Sequence, residues 1–293
     1  MDPISEAAED IRSMRVRGAA LIGKHAAKAL GRFADQWDGS PAALDQAAQA
    51  LVAARPTAVS LPNAVRFVVR RGKEGGTPDA LRKAADEFVR RAQAALGDIG
   101  RHGAPLIEDG MTLLTICNSQ GALAPMFEAA RQGRRFRVVA LETRPWRQGL
   151  LTVAQLHKEG VDAALAVDSA MWTLLEEADL VLTGADSIAR NGDVINKVGT
   201  GGLAVLARER GVPLHCCAES FKLDASAATG KDVVIEERET TEVVQPGEIP
   251  DGVRIRNPVF DVTPNACVTS YVTEAGVLSR DALVKAARET WGV

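Results

Sequence analysis

Through the first hundred residues the apolar positions recur every three to four residues, the period of an amphipathic helix. Ile4, Ala8, Ile11 and Met14 form one such set, and Leu21, Ala26, Leu30 and Phe33 resume it beyond Gly18. Asp2-Pro3, Ser40-Pro41 and Thr77-Pro78 each join a capping side chain to a proline suited to the first helical position. The pattern predicts a helix from Pro3, one across Leu21–Phe33, and others over 41–54, 61–71 and 78–99, with Gly72 ending the fourth.

Beyond Pro105 the period changes. Apolar runs at Thr112–Ile116, Arg137–Leu141, Ala163–Val167, Leu180–Thr183 and Leu214–Ala218 alternate with helical stretches near 120–132, 152–159, 169–177 and 200–210. Strands alternating with helices of this length imply parallel βαβ units. The shortage of polar residues within the runs predicts a sheet covered on both faces. Residues 219–262, rich in Pro, Gly and charge, read as long loops with one strand near Val233–Ile235. Residues 264–274 stay open: Pro264 favours a helix start, whereas β-branched Val268, Thr269, Val272 and Thr273 favour a strand. Ser279 caps a last helix ending near Trp291. The predicted architecture is α/β: a helical N-terminal domain over 1–105, then a doubly wound, mostly parallel Rossmann-like sheet domain over 106–293.

Composition narrows the function classes. With 46% apolar and 25% charged residues in a chain of 293, whole-chain disorder is excluded. A net charge of −3 argues against a nucleic-acid partner. The charge is uneven, with 16 Lys/Arg against 12 Asp/Glu in residues 1–105 and 19 against 26 in the rest. A basic half of this kind suits an anionic small molecule, although solvated helix faces give the same count. No run approaches the roughly 20 apolar residues of a membrane helix, so no membrane partner is expected. The acidic, then amphipathic N-terminus does not resemble a secretory signal, and the expected location is cytoplasmic. Cys117, Cys216, Cys217 and Cys267 form no CxxC pair and no zinc spacing, so neither metal nor disulfide is expected.

In open parallel sheets ligands sit beyond the carboxyl ends of the strands. The residues there are Cys117-Asn118-Ser119, Glu142-Thr143-Arg144-Pro145, Asp168-Ser169, Gly184-Ala185-Asp186 and Glu219-Ser220. Cys117 precedes a predicted helix, whose positive end favours thiolate and lowers the thiol pKa. Its two readings, reactive thiol and small buried hydrophobe, both stand. Asp186 reads either as a general acid with a raised pKa or as the cap of the next turn. Asn196-Lys197-Val198-Gly199-Thr200-Gly201-Gly202 reads as a helix start whose N–H groups, lysine and glycines suit a phosphate. Gly18 breaks a helix beside Arg17 and makes a second anion site, and Arg55-Pro56-Thr57 with Ser60 lies at another helix boundary. No GxxxxGK[ST] loop occurs, and no GxGxxG turn follows the first strand, so a dinucleotide cofactor is unsupported. Cys216 and Cys217 fall inside an apolar strand, and the four histidines carry no motif.

These segments together resemble the family that joins ribose-1,5-bisphosphate isomerase, methylthioribose-1-phosphate isomerase and the regulatory subunits of translation initiation factor 2B. The resemblance rests on Arg17-Gly18-Ala19, Cys117-Asn118-Ser119, Glu142-Thr143-Arg144-Pro145 with Gln148-Gly149, and Gly184-Ala185-Asp186-Ser187. Asn191-Gly192-Asp193, Asn196-Lys197-Val198-Gly199-Thr200, Asn257-Pro258 and Phe260-Asp261-Val262-Thr263-Pro264 extend it from about residue 11 to the C-terminus. Arg55-Pro56-Thr57-Ala58-Val59-Ser60-Leu61-Pro62-Asn63 resembles the bisphosphate branch, whereas Cys-Asn before a small residue resembles the methylthioribose branch. The resemblance implies an aldose-ketose isomerase acting on ribose 1,5-bisphosphate, with Cys117 as base, Asp186 as acid and no cofactor or metal. It implies substrate binding by Arg17, Gly18, Ala19, Arg55, Ser119, Glu142, Arg144, Gln148, Asn196 and Lys197. It also implies a homo-oligomer, a dimer or hexamer, and activation by AMP. The alternatives are a methylthioribose-1-phosphate isomerase and a non-catalytic nucleotide-sensing regulatory protein.

Overall fold

A computed structural model describes residues 2–16, 18–250 and 252–292. Five helices come first: α1 (Pro3–Arg12), α2 (Ala19–Phe33), α3 (Pro41–Ala54), α4 (Ser60–Gly75) and α5 (Pro78–Gly103). The side chains of Asp2, Ser40 and Thr77 accept the free N–H groups of α1, α3 and α5, each ahead of a proline. Gly72 does not end α4. The helix runs on to Gly76, which takes the left-handed cap conformation at φ 61°. Gly72 lies inside the helix because a Cβ there would come within 2.7 Å of the Leu81 side chain. The core under these helices holds Ile11, Ile22, Leu30, Leu51, Phe67 and Phe88, together with Phe221 and Trp291 from far along the chain.

The remainder builds two sheets. Its elements in chain order are β1 (Thr112–Thr115), α6 (Gln120–Arg131), β2 (Arg137–Leu141), α7 (Gly149–Lys158), β3 (Asp162–Ala166), α8 (Met171–Leu174) and β4 (Leu180–Thr183). Then come β5 (Ser187–Ala189), β6 (Val194–Lys197), α9 (Thr200–Arg210), β7 (Leu214–Cys217), β8 (Leu223–Asp224), β9 (Phe260–Thr263), β10 (Ser270–Thr273), β11 (Gly276–Leu278) and α10 (Arg280–Trp291). The large sheet runs β11-β10-β7-β4-β1-β2-β3, parallel except for β11. Its order reverses between β1 and β4, the switch point of a doubly wound sheet, where the splayed connections leave a crevice.

Four expectations change. The edge strand β3 is half exposed, with Leu165 39% accessible, so its outer side lacks the cover expected for a buried run. Residues 169–177 give only the short α8 behind a single turn. No strand forms at Val233–Ile235; Val234 is 75% exposed, and an apolar triplet with no face to cover it gains nothing from pairing. The polar stretch after β4 instead makes the small sheet β8-β5-β6-β9, which the apolar-run criterion passes over because its strands are two to four residues long. Residues 264–274 resolve into a turn at Asn265–Cys267 followed by β10. Among the described residues no helix is long and apolar enough to cross a membrane.

Candidate active site

Cys117 leaves the end of β1 and Asp186 the end of β4, so the two flank the switch point on hydrogen-bonded neighbours. Gly184 lies flush against the next chain segment: a Cβ there would come 2.1 Å from Ser119 Oγ, so only glycine lets the two strand ends close up.

Cys117 is held by its backbone. Its φ of 68° is in the left-handed region that non-glycine residues seldom enter. Its N–H donates to Thr143 Oγ1 at 2.8 Å, and its carbonyl accepts from Thr152 Oγ1 at 2.7 Å. Thr152 Oγ1 also accepts from Asn118 Nδ2 at 3.0 Å. Behind Thr143 stands Asp168, whose two oxygens accept the N–H groups of Thr143 and Arg144, each at 2.7 Å. Two threonines and one carboxylate thus hold the loop that aims the thiol. The helix-dipole expectation for the thiol does not hold. Burial pushes it up to about 11, the nearby Asp186 charge adds to this, and Lys197 pulls the other way. Ser119 caps α6 with its own hydroxyl, accepting from Ala122 N–H at 3.3 Å.

Asp186 is set by charge. Burial raises its pKa, while Lys222, Lys197, Arg55 and Arg238, in falling order, pull it back. Lys197 is only 8% exposed and lies 5.4 Å from the centre of the Phe260 ring. Burial lowers its pKa, and the Cys117 and Asp186 charges oppose that, which places its ammonium in electrostatic reach of both. Lys222 pairs with buried Glu219 at 2.9 Å. Burial works to lower its pKa, but Glu219, with Asp186 and Cys216 behind it, outweighs it and the net direction is up. Lys222 stands on a firm base: Phe67, Phe88, Phe221 and Trp291 pack as rings 5.2–5.7 Å apart. Asn63 Nδ2 donates to the carbonyls of Phe221 and Leu223 at 2.8 Å each, so α4 carries the Lys222 turn.

The other expected site residues divide. Arg55 reaches the site and pairs with Glu236 at 3.1 Å. Gly18, at φ 89°, opens α2, and Ala19 O accepts from Ser60 Oγ at 2.5 Å, which ties this helix start to α4; Arg17 lies outside the described residues. Gln148 precedes α7 with Oε1 buried and without a hydrogen-bond partner among the described residues. Glu142 is paired with Arg147 at 3.4 Å. Arg144 is exposed, and its guanidinium donates to Val243 O at 2.9 Å. The expected phosphate-binding helix start is corrected. Asn196 and Lys197 end strand β6, Asn196 Nδ2 donates to Thr200 Oγ1 at 3.0 Å, and α9 begins at Thr200. Two of its leading N–H groups are taken: Gly199 and Gly201 donate to the Asp261 carboxylate at 2.7 and 3.0 Å. The segment also brings the Lys197 side chain. Sequence reasoning missed Lys222, three residues past the flagged Glu219, and Arg238, inside a stretch read as loop.

Among the described residues no group of three or more His, Cys, Asp or Glu side chains is arranged to hold a metal. The arrangement offers a thiol and a carboxyl group on adjacent strands, a lysine shared between them, and three more cations around the carboxyl.

The sequence pattern of the Initiation factor 2 subunit family matches residues 15–280. A protein of Haloferax volcanii named ribose 1,5-bisphosphate isomerase is 43% identical over 300 residues, covering 99% of this chain and 93% of its own. A Gemmatimonas aurantiaca protein named methylthioribose-1-phosphate isomerase is 40% identical over 292 residues, covering 93% and 84%. Among solved structures, the translation initiation factor eIF-2B of Pyrococcus horikoshii superposes with a TM-score of 0.82 at 30% identity, covering 95% of this chain and 97% of that one.

Proposed function

The chain belongs to the Initiation factor 2 subunit family, and we propose that within it the protein is an enzyme, an aldose-ketose isomerase that converts ribose 1,5-bisphosphate to ribulose 1,5-bisphosphate. The observation that carries this reading is the pairing of Cys117 and Asp186 across the switch point, with Lys197 in reach of both. The 43% identity to the Haloferax volcanii isomerase supports the substrate.

The chemistry balances with these two groups alone. C1 of the substrate carries both the phosphate and the ring oxygen, so the ring cannot open as a free sugar does. Cys117 as thiolate takes the C2 proton; the C2–H electron pair forms a C1–C2 double bond, and the C1–O4 bond breaks toward O4. Asp186 as acid protonates O4. The Cys117 thiol then returns a proton to C1 while the C2 hydroxyl gives its proton to Asp186, leaving the ketone and both groups as they began. Each proton transfer is worth roughly 10²–10⁴ in rate. Burial pushes the thiol pKa up to about 11, so at neutral pH the sulfur holds its proton. The base is therefore generated on substrate binding, when the thiol proton leaves to solvent and Lys197 stabilises the thiolate that remains. Lys197, Lys222, Arg55 and Arg238 supply the positive charge for two phosphates, which favours the bisphosphate over methylthioribose 1-phosphate.

In the same reading residues 1–105 are a helical domain and 106–293 the catalytic domain. A homo-oligomer, dimer or hexamer, is supported by the half-exposed Leu150, Leu151, Leu165 and Val167 on α7 and along β3. Activation by AMP and a cytoplasmic location rest on the resemblance alone. The test is incubation with ribose 1,5-bisphosphate, with ribulose 1,5-bisphosphate detected by a carboxylating enzyme and methylthioribose 1-phosphate run in parallel. Turnover of the bisphosphate alone is expected. Turnover of only the second substrate moves the assignment to the methylthioribose branch, and turnover of neither removes the isomerase.

A further inference from the structure

The segment from Glu236 to Val243 lies against the site's cations and sets its own acidic side chains near them. Glu236 Oε2 lies 3.1 Å from Arg55 and its Oε1 3.8 Å from Arg238 Nε, so one carboxylate spans two arginines. Both arginine side chains are only 15% exposed. Arg238 Nε is buried without a hydrogen-bond partner among the described residues, an arrangement an incoming anion would complete. Arg238 also stacks on Trp146, its guanidinium 5.4 Å from the ring centre. Six residues on, Glu242 is in electrostatic reach of Lys197, held there by Asn257 Nδ2 at 3.0 Å. The far end is fastened by the Arg144 guanidinium on Val243 O at 2.9 Å. Its backbone is tied to the chain beyond it: Arg238 N–H donates to Asn257 O at 3.1 Å, Val259 N–H to Glu236 O at 2.9 Å and Asn257 Nδ2 to Glu239 O at 3.0 Å, so the two carboxylates can leave the cations by side-chain rotation.

A carboxylate between two arginines offers the same planar, charge-assisted contacts that one face of a phosphate offers. Two carboxylates six residues apart, each on a different part of a cationic site, match in number the two phosphates of the proposed substrate. We propose that Glu236 and Glu242 are specificity-determining residues: internal stand-ins for the two substrate phosphates, which leave only when both are replaced. A sugar bisphosphate displaces both carboxylates. A monophosphate displaces one, leaves the other in place, and competes poorly for the site. The idea rests on the isomerase reading for its substrate but not for its test.

The test is calorimetric binding of inorganic phosphate to the full-length wild type, Glu236→Gln and Glu236→Gln/Glu242→Gln, followed by turnover of ribose 1,5-bisphosphate and ribose 1-phosphate. Removing the internal competitor is expected to tighten phosphate binding about threefold or more in the single variant, the size of a partly screened ion pair, and further in the double. The ratio of kcat/KM for the bisphosphate over the monophosphate is expected to fall in the double variant. Glu236→Asp, which keeps the charge, is expected to stay near wild type in phosphate affinity and covers the case in which the amide variant folds poorly. Unchanged or weaker phosphate binding in Glu236→Gln would overturn the proposal and leave Glu236 as a brace for Arg55. Failure of the wild type to turn over either sugar defeats the isomerase reading, while the phosphate measurement still decides the role of the two carboxylates.

Discussion

Cys117 and Asp186 follow adjacent parallel strands, yet the protein fixes them by opposite means. Neutral hydrogen bonds to its main chain, from Thr143 and Thr152, hold Cys117 in a left-handed conformation. Asp186 stands in the field of four cations contributed by four separate stretches of chain. One side of the site is built as a rigid mount, the other as an electrostatic cage. Burial raises both pKa values, so the difference between the residues lies in what opposes burial: one lysine and the Asn118 N–H for the thiol, four cations for the carboxyl.

The largest effect should come from breaking the caged side at its centre. Asp186→Asn keeps the shape and removes the donated proton, so kcat is expected to fall roughly 10²–10⁴-fold while substrate affinity, measured by calorimetry, changes little. Collapse of affinity with kcat near wild type would make Asp186 a binding residue and turn attention to Glu142. Next comes the cage itself. Lys222→Met leaves Glu219, 2% exposed, without its ion pair, and unfolding should be easier by about 3–5 kcal/mol in denaturant titration. A Lys222→Met/Glu219→Gln pair should recover most of that loss, and failure to do so would show that the aromatic cluster beneath is disturbed instead.

The mount should be softer. Thr152→Val leaves the Cys117 carbonyl without its donor, an effect of about 1–3 kcal/mol for a buried acceptor. We expect kcat down about tenfold, KM nearly unchanged and Thr152→Ser close to wild type; a KM effect alone would move Thr152 from the thiol to the substrate. The smallest perturbation is pH. A thiol raised to about 11 is mostly protonated over the whole neutral range, so iodoacetamide inactivation of the free enzyme should keep accelerating above pH 9. A plateau already reached near pH 8 would mean that Lys197 outweighs burial.

The same contrast explains what was legible in the sequence. The turn that carries the thiol is local: an apolar run, then Cys117, then a capping Ser119 is readable because strand, turn and helix follow one another within a few residues, whereas Thr143 and Thr152, which hold it, come from 26 and 35 residues on. The same logic located Asp186 and the helices α1, α3 and α5, whose caps and prolines stand at their own starts. The cage is not local. Arg55 and Arg238 meet Asp186 only through the fold, and Lys222 arrives on a turn pinned by Asn63 from α4. Short strands such as β5 and β8 pair with distant partners and carry no period long enough to see. The α9 start looked like a phosphate site because Gly199 and Gly201 were visible, while Asp261, which occupies their N–H groups, lies sixty residues on.

The central claim is that the thiol on the rigid mount and the carboxyl group in the cage exchange protons with one bound sugar bisphosphate. Its most direct test is Cys117→Ser, with ribose 1,5-bisphosphate binding measured by calorimetry and ribulose 1,5-bisphosphate formation followed in the same preparation. The account predicts binding within a fewfold of wild type and no detectable turnover, because a hydroxyl of far higher pKa cannot replace the thiolate as base. Turnover above about a tenth of the wild-type rate, against a general-base contribution of 10²–10⁴, would contradict it and remove Cys117 from the chemistry.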